Sequence, residues 1–433
     1  MKLTFRGGIH PDTNKELTKS KKTVAMDAPD ILVFPLSQHI GAPCESLVKA
    51  GDTVMVGQKI ADSEAFVSSP IHSSVSGVVK AVEKRPHATM SECMAIVIEN
   101  DKNYTVLEDI KPIDYTLMSQ KEIIDEIRNG GIVGMGGATF PTHVKLSIPD
   151  GKTADTFLVN AAECEPYLTS DHRLMLEKPE DIIEGIKIVM KATGIKKSII
   201  AMEDNKQDAF EALDELCKNE DGIEVVKVKT KYPQGSEKQL IDAVLKRQVK
   251  SATLPIDSGV IVQNVASVAE ISNHFKTGMP LIERIVTVSG RGIENPMNVV
   301  VKVGTSYQDV CEFAGGMKEN VSKVISGGPM MGFSQYTLEV PVTKGTSGIL
   351  FFTQDEDKEY SEQACIKCGK CVSHCPMNLM PFMITEMARI GEMDEAVRYG
   401  LKDCMECGSC SFICPQRRHL VQHIRVAKAK LPR

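Results

Sequence analysis

Apolar and polar positions alternate in four distinct rhythms along the chain. Between about residues 30 and 85 the apolar residues form short alternating runs, ILVFPL and then VKAGDTVMVGQKIADSEAFVSSPIHSSVSGVVKAV. Turn formers at Ala50-Gly51-Asp52, Val56-Gly57, Pro70 and Gly77 punctuate them, which predicts short half-buried strands. From about 120 to 275 the period lengthens. QKEIIDEIR at 120–128 predicts a helix running into a glycine loop, and TFLVNAA at 156–162 predicts a strand. Residues 179–193 predict a helix that opens on Pro179 and stops before Gly194, with Ile182, Ile183, Ile186, Val189 and Met190 as its apolar stripe. SIIAM, DAFEALDELCKN, IEVVKV and EKQLIDAVLKR then continue as strand, helix, strand, helix. Such alternation predicts a parallel sheet with helices on both faces. Residues 282–355 return to short strands, with turns at Gly290-Arg291-Gly292, Gly327-Gly328-Pro329 and Gly345. A cysteine-rich tail begins near 358 and carries one helix, about 380–399, between its two cysteine runs.

The pattern divides the chain into residues 1–115, 116–280, 281–357 and 358–433, a multidomain α/β and α+β protein. A hydrophobic content of 42% with 25% charged residues is that of a soluble chain. No run of eighteen apolar residues predicts a membrane span, and MKLTFRGGIHPDTNKEL lacks the apolar core of a signal peptide. Many thiols without an export signal point to the cytosol. The net charge of −6 argues against general nucleic-acid binding. That charge is uneven: from Cys365 onward eleven Lys or Arg face six Asp or Glu, so the tail is +5 and the remainder −11. The final RRHLVQHIRVAKAKLPR predicts a basic terminal helix with Leu420, Ile424 and Ala427 on one face.

Eight of the thirteen cysteines lie in that tail, in two copies of one spacing. The first is Cys365-x2-Cys368-x2-Cys371-x3-Cys375-Pro376, the second Cys404-x2-Cys407-x2-Cys410-x3-Cys414-Pro415. This is the bacterial ferredoxin run that holds [4Fe–4S] clusters. Two-residue gaps aim three thiolates at one cluster, and the fourth iron is reached from the other run. The expected sets are therefore Cys365, Cys368, Cys371 with Cys414, and Cys404, Cys407, Cys410 with Cys375. A structural zinc site would use four ligands from two CxxC pairs, commonly with His, and disulfides would suit a small secreted chain. His374 is expected beside the cluster rather than bound to it. Cys44, Cys93, Cys217 and Cys311 read as small buried hydrophobes, and Cys164 as buried between two carboxylates.

The glycine loop Gly130–Thr142 lies between two helical segments. Glycines let backbone N–H groups approach a phosphate, and a helix N-terminus favours its charge. It is neither a GxGxxG fingerprint nor a P-loop. GxGGAxFPxxxK, followed by Asn160-Ala161-Ala162-Glu163-Cys164-Glu165-Pro166, resembles the NADH-oxidising flavoprotein subunit of respiratory complex I. Tyr232-Pro233-Gln234-Gly235-Ser236-Glu237 and Gln263-Asn264-Val265 extend the resemblance in the same order. It implies non-covalent FMN, with Gly134, Gly136, Gly137 and Lys145 around its phosphate and Asn160, Glu163 and Asn264 at its ribityl chain or ring. It also implies Phe140, Glu165 and Glu237 toward the nicotinamide nucleotide. Ala162, Ser236, Met135 and Gln263 depart from that family's Asp, Glu, Arg and Asn.

The N-terminal hairpins resemble the barrel-sandwich of biotinyl and lipoyl carriers, but the tip Asp62-Ser63-Glu64-Ala65-Phe66 carries no lysine to modify. VTVSGRGIENPMNVVVKVGTSYQDVCEFAGG resembles the β-grasp module named SLBB. With GGIHP at the start and the two-cluster tail, the whole order of modules resembles the RnfC family, the peripheral component of Rnf ion-translocating oxidoreductases. The resemblance implies a peripheral protein on the cytoplasmic face of the membrane. There NAD(H) would exchange electrons with a ferredoxin:NAD+ oxidoreductase whose integral and peripheral membrane subunits move Na+ or H+. Three other assignments share the parts: a flavin and iron–sulfur cobalamin reductase, an NADH-dependent hydrogenase subunit, and a non-catalytic electron wire.

Overall fold

The protein is described here from a computed structural model covering residues 3–357 and 360–431. The alternating N-terminal runs form two small sheets. One has the order Ile31–Pro35, Glu92–Asn100, Gly77–Pro86, Thr53–Val54, and the other the order Glu45–Ser46, Lys59–Asp62, Ile71–His72. Leu32, Phe34, Val54, Ile60, Ile71, Val79, Ile96 and Ile98 meet between them in one apolar core. The hairpin tip that carriers use as a swinging arm is docked. Arg128 Nη2 donates to Asp62 at 2.8 Å, and the Phe66 ring stands edge-on to His143 with centroids 6.0 Å apart.

The middle of the chain builds a four-stranded, all-parallel sheet with the order Ile223–Val228, Ser198–Glu203, Thr156–Ala161, Val260–Asn264. Helix Gln120–Asn129 begins at a capping box made by Ser119 and Glu122. Helix Pro179–Thr193 spans the expected residues and ends where Gly194 takes a left-handed φ of 75°. Its buried Ile182, Ile183, Ile186, Ile188 and Val189 pack with helix Val265–Thr277 in the core of this unit. Residues 283–353 form a sheet of five strands, to which Val24–Ala25 adds a parallel edge beside Met297–Lys302. One helix, Tyr307–Phe313, covers it through Tyr307, Val310 and Cys311.

The tail departs from its expected form in one place. The single helix expected at about 380–399 is two, Pro381–Arg389 and Met393–Arg398. Gly391 adopts φ +88° between them, a left-handed conformation that stops the first helix cheaply only for glycine. The bend lets Ile384 and Ala396 share a small core with Leu401, Ile424 and Ala427. The terminal helix Leu420–Ala429 buries Leu420, Ile424 and Ala427, the stripe read from the sequence.

The first residues run across the other units. Leu3 bridges Val228, Ile9 bridges Tyr232, and the Gly8 N–H donates to the His374 carbonyl at 2.9 Å. A Cβ on Gly7, at φ +80°, would lie 2.7 Å from the Cys375 carbonyl oxygen. The opening GGIHP is thus a strap joining the parallel-sheet domain to the cysteine-rich tail.

Candidate cofactor site

A parallel sheet opens a crevice at the carboxyl ends of its strands, and the candidate residues collect there. Asn160 and Asn264 are direct partners in neighbouring strands. Asn160 Nδ2 donates to the Gly235 carbonyl at 2.6 Å, which draws the Tyr232–Glu237 loop over the strand end. Asn264 Oδ1 accepts from the Ala266 N–H at 2.9 Å and so caps helix Val265–Thr277. The glycine loop closes on itself through Gly134 N–H to Phe140 carbonyl, 2.8 Å. Gly136 lies flat on Asn264, where a Cβ would stand 2.8 Å from Nδ2, while Gly137 has nothing within 4 Å. Lys145, on helix Thr142–Leu146, is ion-paired with Glu237 across the crevice.

Glu163 is buried. One of its oxygens accepts the Asp171 N–H at 2.9 Å; the other has no hydrogen-bond donor and stands 3.8 Å from Lys15 Nζ. Lys15 arrives from the N-terminal strap, where it also donates to the Glu165 and Leu168 carbonyls. Beside this pair Glu203 and Lys206 form a second buried ion pair at 2.6 Å. Glu165 is the exception among the candidates. Its carboxylate is turned to the 327–331 loop, where it accepts the Met330 and Met331 N–H groups at 3.0 and 3.1 Å. Burial pushes it up to about 7, against the pull of those two N–H groups. Cys164 accepts the Gly235 N–H at 3.3 Å, and burial holds its thiol protonated.

An FMN phosphate fits this cradle. A thirteen-residue helix presents its N-terminus and the glycine loop faces the crevice without side chains, while the buried Glu163 oxygen that lacks a donor suits a hydroxyl or ring N–H of the cofactor and not its phosphate. Gln234, fully buried in the neighbouring loop, likewise has neither side-chain atom hydrogen-bonded. Sequence reasoning missed Lys15, Asp171 and the Glu203–Lys206 pair. Lys15 and Glu163 are 148 residues apart, and nothing local signals their meeting.

The cysteines surround two small pockets. Cys365, Cys368, Cys371 and Cys414 line one; Cys375, Cys404, Cys407 and Cys410 line the other. Each run folds alike. Lys367 and Glu406 take φ of 54° and 59°, Gly369 and Gly408 take 75° and 78°, and a four-residue helix follows each glycine. The left-handed residues wrap the loop so that thiols point inward. Amide N–H groups of Lys367, Glu406 and Leu379 approach the sulfurs of Cys365, Cys404 and Cys375 at 3.4 Å, contacts that tune cluster potentials. Burial raises the thiols of Cys371, Cys375, Cys407 and Cys410, and Cys404 to about 11, so metal binding must displace protons. Among the described residues no three His, Cys, Asp or Glu converge on a single-ion site.

The two pockets differ in surroundings. The Cys404 pocket abuts the crevice loop: Tyr232 donates to the Cys407 carbonyl at 2.8 Å, Gln239 to the Pro376 carbonyl at 3.1 Å, and Met330 packs on Cys407. The Cys365 pocket is walled by Ile366, Lys367 and the exposed Cys368. Arg418, 3% exposed, pairs with Glu386 at 2.6 Å beside it.

Family models match four segments: the RnfC barrel sandwich hybrid domain over residues 3–103, the Nuo51 FMN-binding domain over 127–273, the SLBB domain over 285–334, and a 4Fe-4S dicluster domain over 357–415. The chain is 48% identical over 430 residues to the C component of the Na(+)-translocating ferredoxin:NAD(+) oxidoreductase complex of Acetobacterium woodii, covering 99% of this chain and 97% of that one. It is 45% identical over 397 residues to the proton-translocating counterpart of Clostridium ljungdahlii, covering 92% and 87%. It is 41% identical over 435 residues to the C component of the ion-translocating oxidoreductase complex of Rhodobacter capsulatus, covering 99% and 83%.

Proposed function

The chain belongs to the RnfC family, the C components of ion-translocating ferredoxin:NAD(+) oxidoreductase complexes, and we propose that it exchanges electrons between NAD(H) and the rest of such a complex. It is an electron-transfer oxidoreductase subunit built from an FMN-binding domain and a 4Fe-4S dicluster domain. Flavin supplies the conversion between a hydride's paired electrons and the single electrons a cluster accepts. The protein supplies position. Gly134, Gly136 and Gly137 would expose backbone to the phosphate and Lys145 would balance its charge. Asn160, Glu163 and Asn264 would border the ribityl chain and ring. Phe140 and Glu237 face the nicotinamide nucleotide. Glu165, engaged by Met330 and Met331, braces the crevice against the 327–331 loop of the β-grasp module.

One observation carries the route: the loop Tyr232–Glu237 that roofs the crevice also touches the Cys404 pocket. Cys404, Cys407, Cys410 and Cys375 then hold the inner cluster, and Cys365, Cys368, Cys371 and Cys414 the outer one. The outer pocket's exposed Ile366 and Cys368, on a tail of net charge +5, form the docking edge for membrane-bound and peripheral partner subunits. Among the described residues no helix is long and apolar enough to cross a membrane. In this reading the protein attaches through those partners, on the cytoplasmic face. The test is an oxygen-free assay. About eight irons, about eight sulfides and one FMN per chain are expected, with the flavin bleached by NADH. Zinc in place of iron, or a chain that takes up no FMN, overturns the reading.

A further inference from the structure

A second cavity lies behind the crevice. About 460 Å³ in volume, it is walled by helices Ser170–Glu177 and Val265–Thr277 and by strand Glu283–Ser289. Its rim carries the exposed Lys178, Thr277 and Glu283, so water enters. Its floor includes Met135 of the glycine loop, and the cavity and the crevice therefore share a wall. Asp171 stands in that wall. Its carboxylate lines the cavity and accepts from Asn264 Nδ2 at 2.8 Å, while its backbone N–H donates to Glu163 at 2.9 Å. Glu270 lines the same cavity farther along, held only by 3.4 Å contacts from Asn273.

Neither carboxylate has an ion-pair partner among the described residues. Arg284, buried between the two elements, spends two of its donors on the Thr346 and Met135 carbonyls. The charged groups facing Asp171 are Glu163, Arg284 and Lys206; those facing Glu270 are His274, Glu283, Lys178, Arg284 and Lys344; Asp181 and Lys302 complete the walls. Burial raises both carboxyls to about 7, that of Asp171 with help from the Glu163 charge, so both exchange protons near neutrality.

We propose that Asp171 carries protons between the water of this cavity and the flavin held by Asn264 and Glu163, with Glu270 as the outer acceptor. The inference rests on the flavin reading of the crevice. Reduction by NADH breaks the nicotinamide carbon–hydrogen bond, places the hydride on the flavin and consumes one proton from water. When the two electrons leave singly toward the clusters, two protons return to water. On the cluster side the crevice loop is packed against Met405, Met330 and Cys407, and the cavity supplies the wet side.

Asp171→Asn separates proton transfer from structure, because its amide oxygen still accepts from Asn264. The full chain, loaded with FMN and kept anaerobic, is mixed rapidly with NADH in weak buffer, and an indicator dye follows uptake of the one proton that flavin reduction consumes at pH 7. Compared at saturating FMN, D171N should take up protons on the order of 100-fold more slowly than the wild type. D171E should restore the rate, and E270Q should slow it less than D171N. Wild-type uptake rates in D171N overturn the relay and leave the flavin site standing. A wild-type chain that binds no FMN overturns both.

Discussion

Lys15→Met tests the reading of the crevice as a charge-balanced site. Lys15 is 5% exposed, its ammonium donates to two carbonyls, and it is 3.8 Å from a Glu163 oxygen that has no hydrogen-bond donor. Methionine keeps much of the stem's volume and removes the charge and the donors. Removing one partner of a buried pair costs about 3–5 kcal/mol, since the other charge stays buried and uncompensated. The separation is long and Lys206 still faces Glu163, which sets the expectation at the low end, about 3 kcal/mol. In a domain of this size that is a fall of about 6–12 °C in its melting temperature. Scanning calorimetry reads it, with Glu163→Gln and the double variant completing the cycle. The double variant should recover at least about 2 kcal/mol of the sum of the singles. A shift under about 2 °C for K15M, or strictly additive singles, would refute the coupling.

Cys375→Ser should abolish the cluster of Cys404, Cys407 and Cys410 and spare the other, and Cys414→Ser should do the reverse. Iron content and electron paramagnetic resonance read the outcome, and loss of the same cluster by both variants excludes the crossed sets. Gly136→Ala pushes a methyl to within 2.8 Å of Asn264 Nδ2 and should weaken FMN at least about tenfold, some 1.4 kcal/mol, by equilibrium dialysis. Because Glu270 is raised from its ordinary value to about 7, the folded state holds a proton that the unfolded chain releases near pH 4.5. Wild-type stability should therefore fall relative to E270Q as pH rises from 4.5 through 7, and parallel melting curves would exclude it. Gly7→Ala, blocked by the Cys375 carbonyl at 2.7 Å and disfavoured at φ +80°, should loosen iron retention at the inner cluster while sparing FMN.

Repeating local patterns were legible in the sequence. Helix 179–193 was marked at both ends, by Pro179 and Gly194, and strand Ile223–Val228 by its β-branched residues. The cysteine spacing is dictated by a cubane's own dimensions, and both pockets gather the four thiols that the spacing paired. The broken helix at Gly391 was not legible, since Met393–Arg398 continues a good helical composition and only packing on Ile424 and Leu401 decides the bend. The turn of Glu165 toward the 327–331 loop was not legible for a similar reason. Its neighbours in sequence belong to the crevice, but its hydrogen-bond donors come from a loop 165 residues later.

The strap explains how four units present one continuous route. Tyr232 belongs to the crevice roof and Cys375 to the inner pocket, and residues 7–9 touch both. Ile9 exchanges two backbone hydrogen bonds with Tyr232 at 2.9 Å, and Gly8 donates to the carbonyl of His374, the residue before Cys375. Cys375 is also the ligand that crosses from the first run to the second pocket, so fixing its backbone fixes the inner pocket against the crevice. Lys344 does the same on the opposite side. Fully buried in the β-grasp module, it donates to Pro70 of the barrel at 2.5 Å and to Gly131 of the glycine loop at 2.6 Å. Burial lowers Lys344 to about 7, and the amine that water does not reach is held by two carbonyls from different units. Between these two ties the barrel serves as a buttress, in keeping with a carrier-like fold whose hairpin tip carries no lysine and is held by Asp62 paired with Arg128.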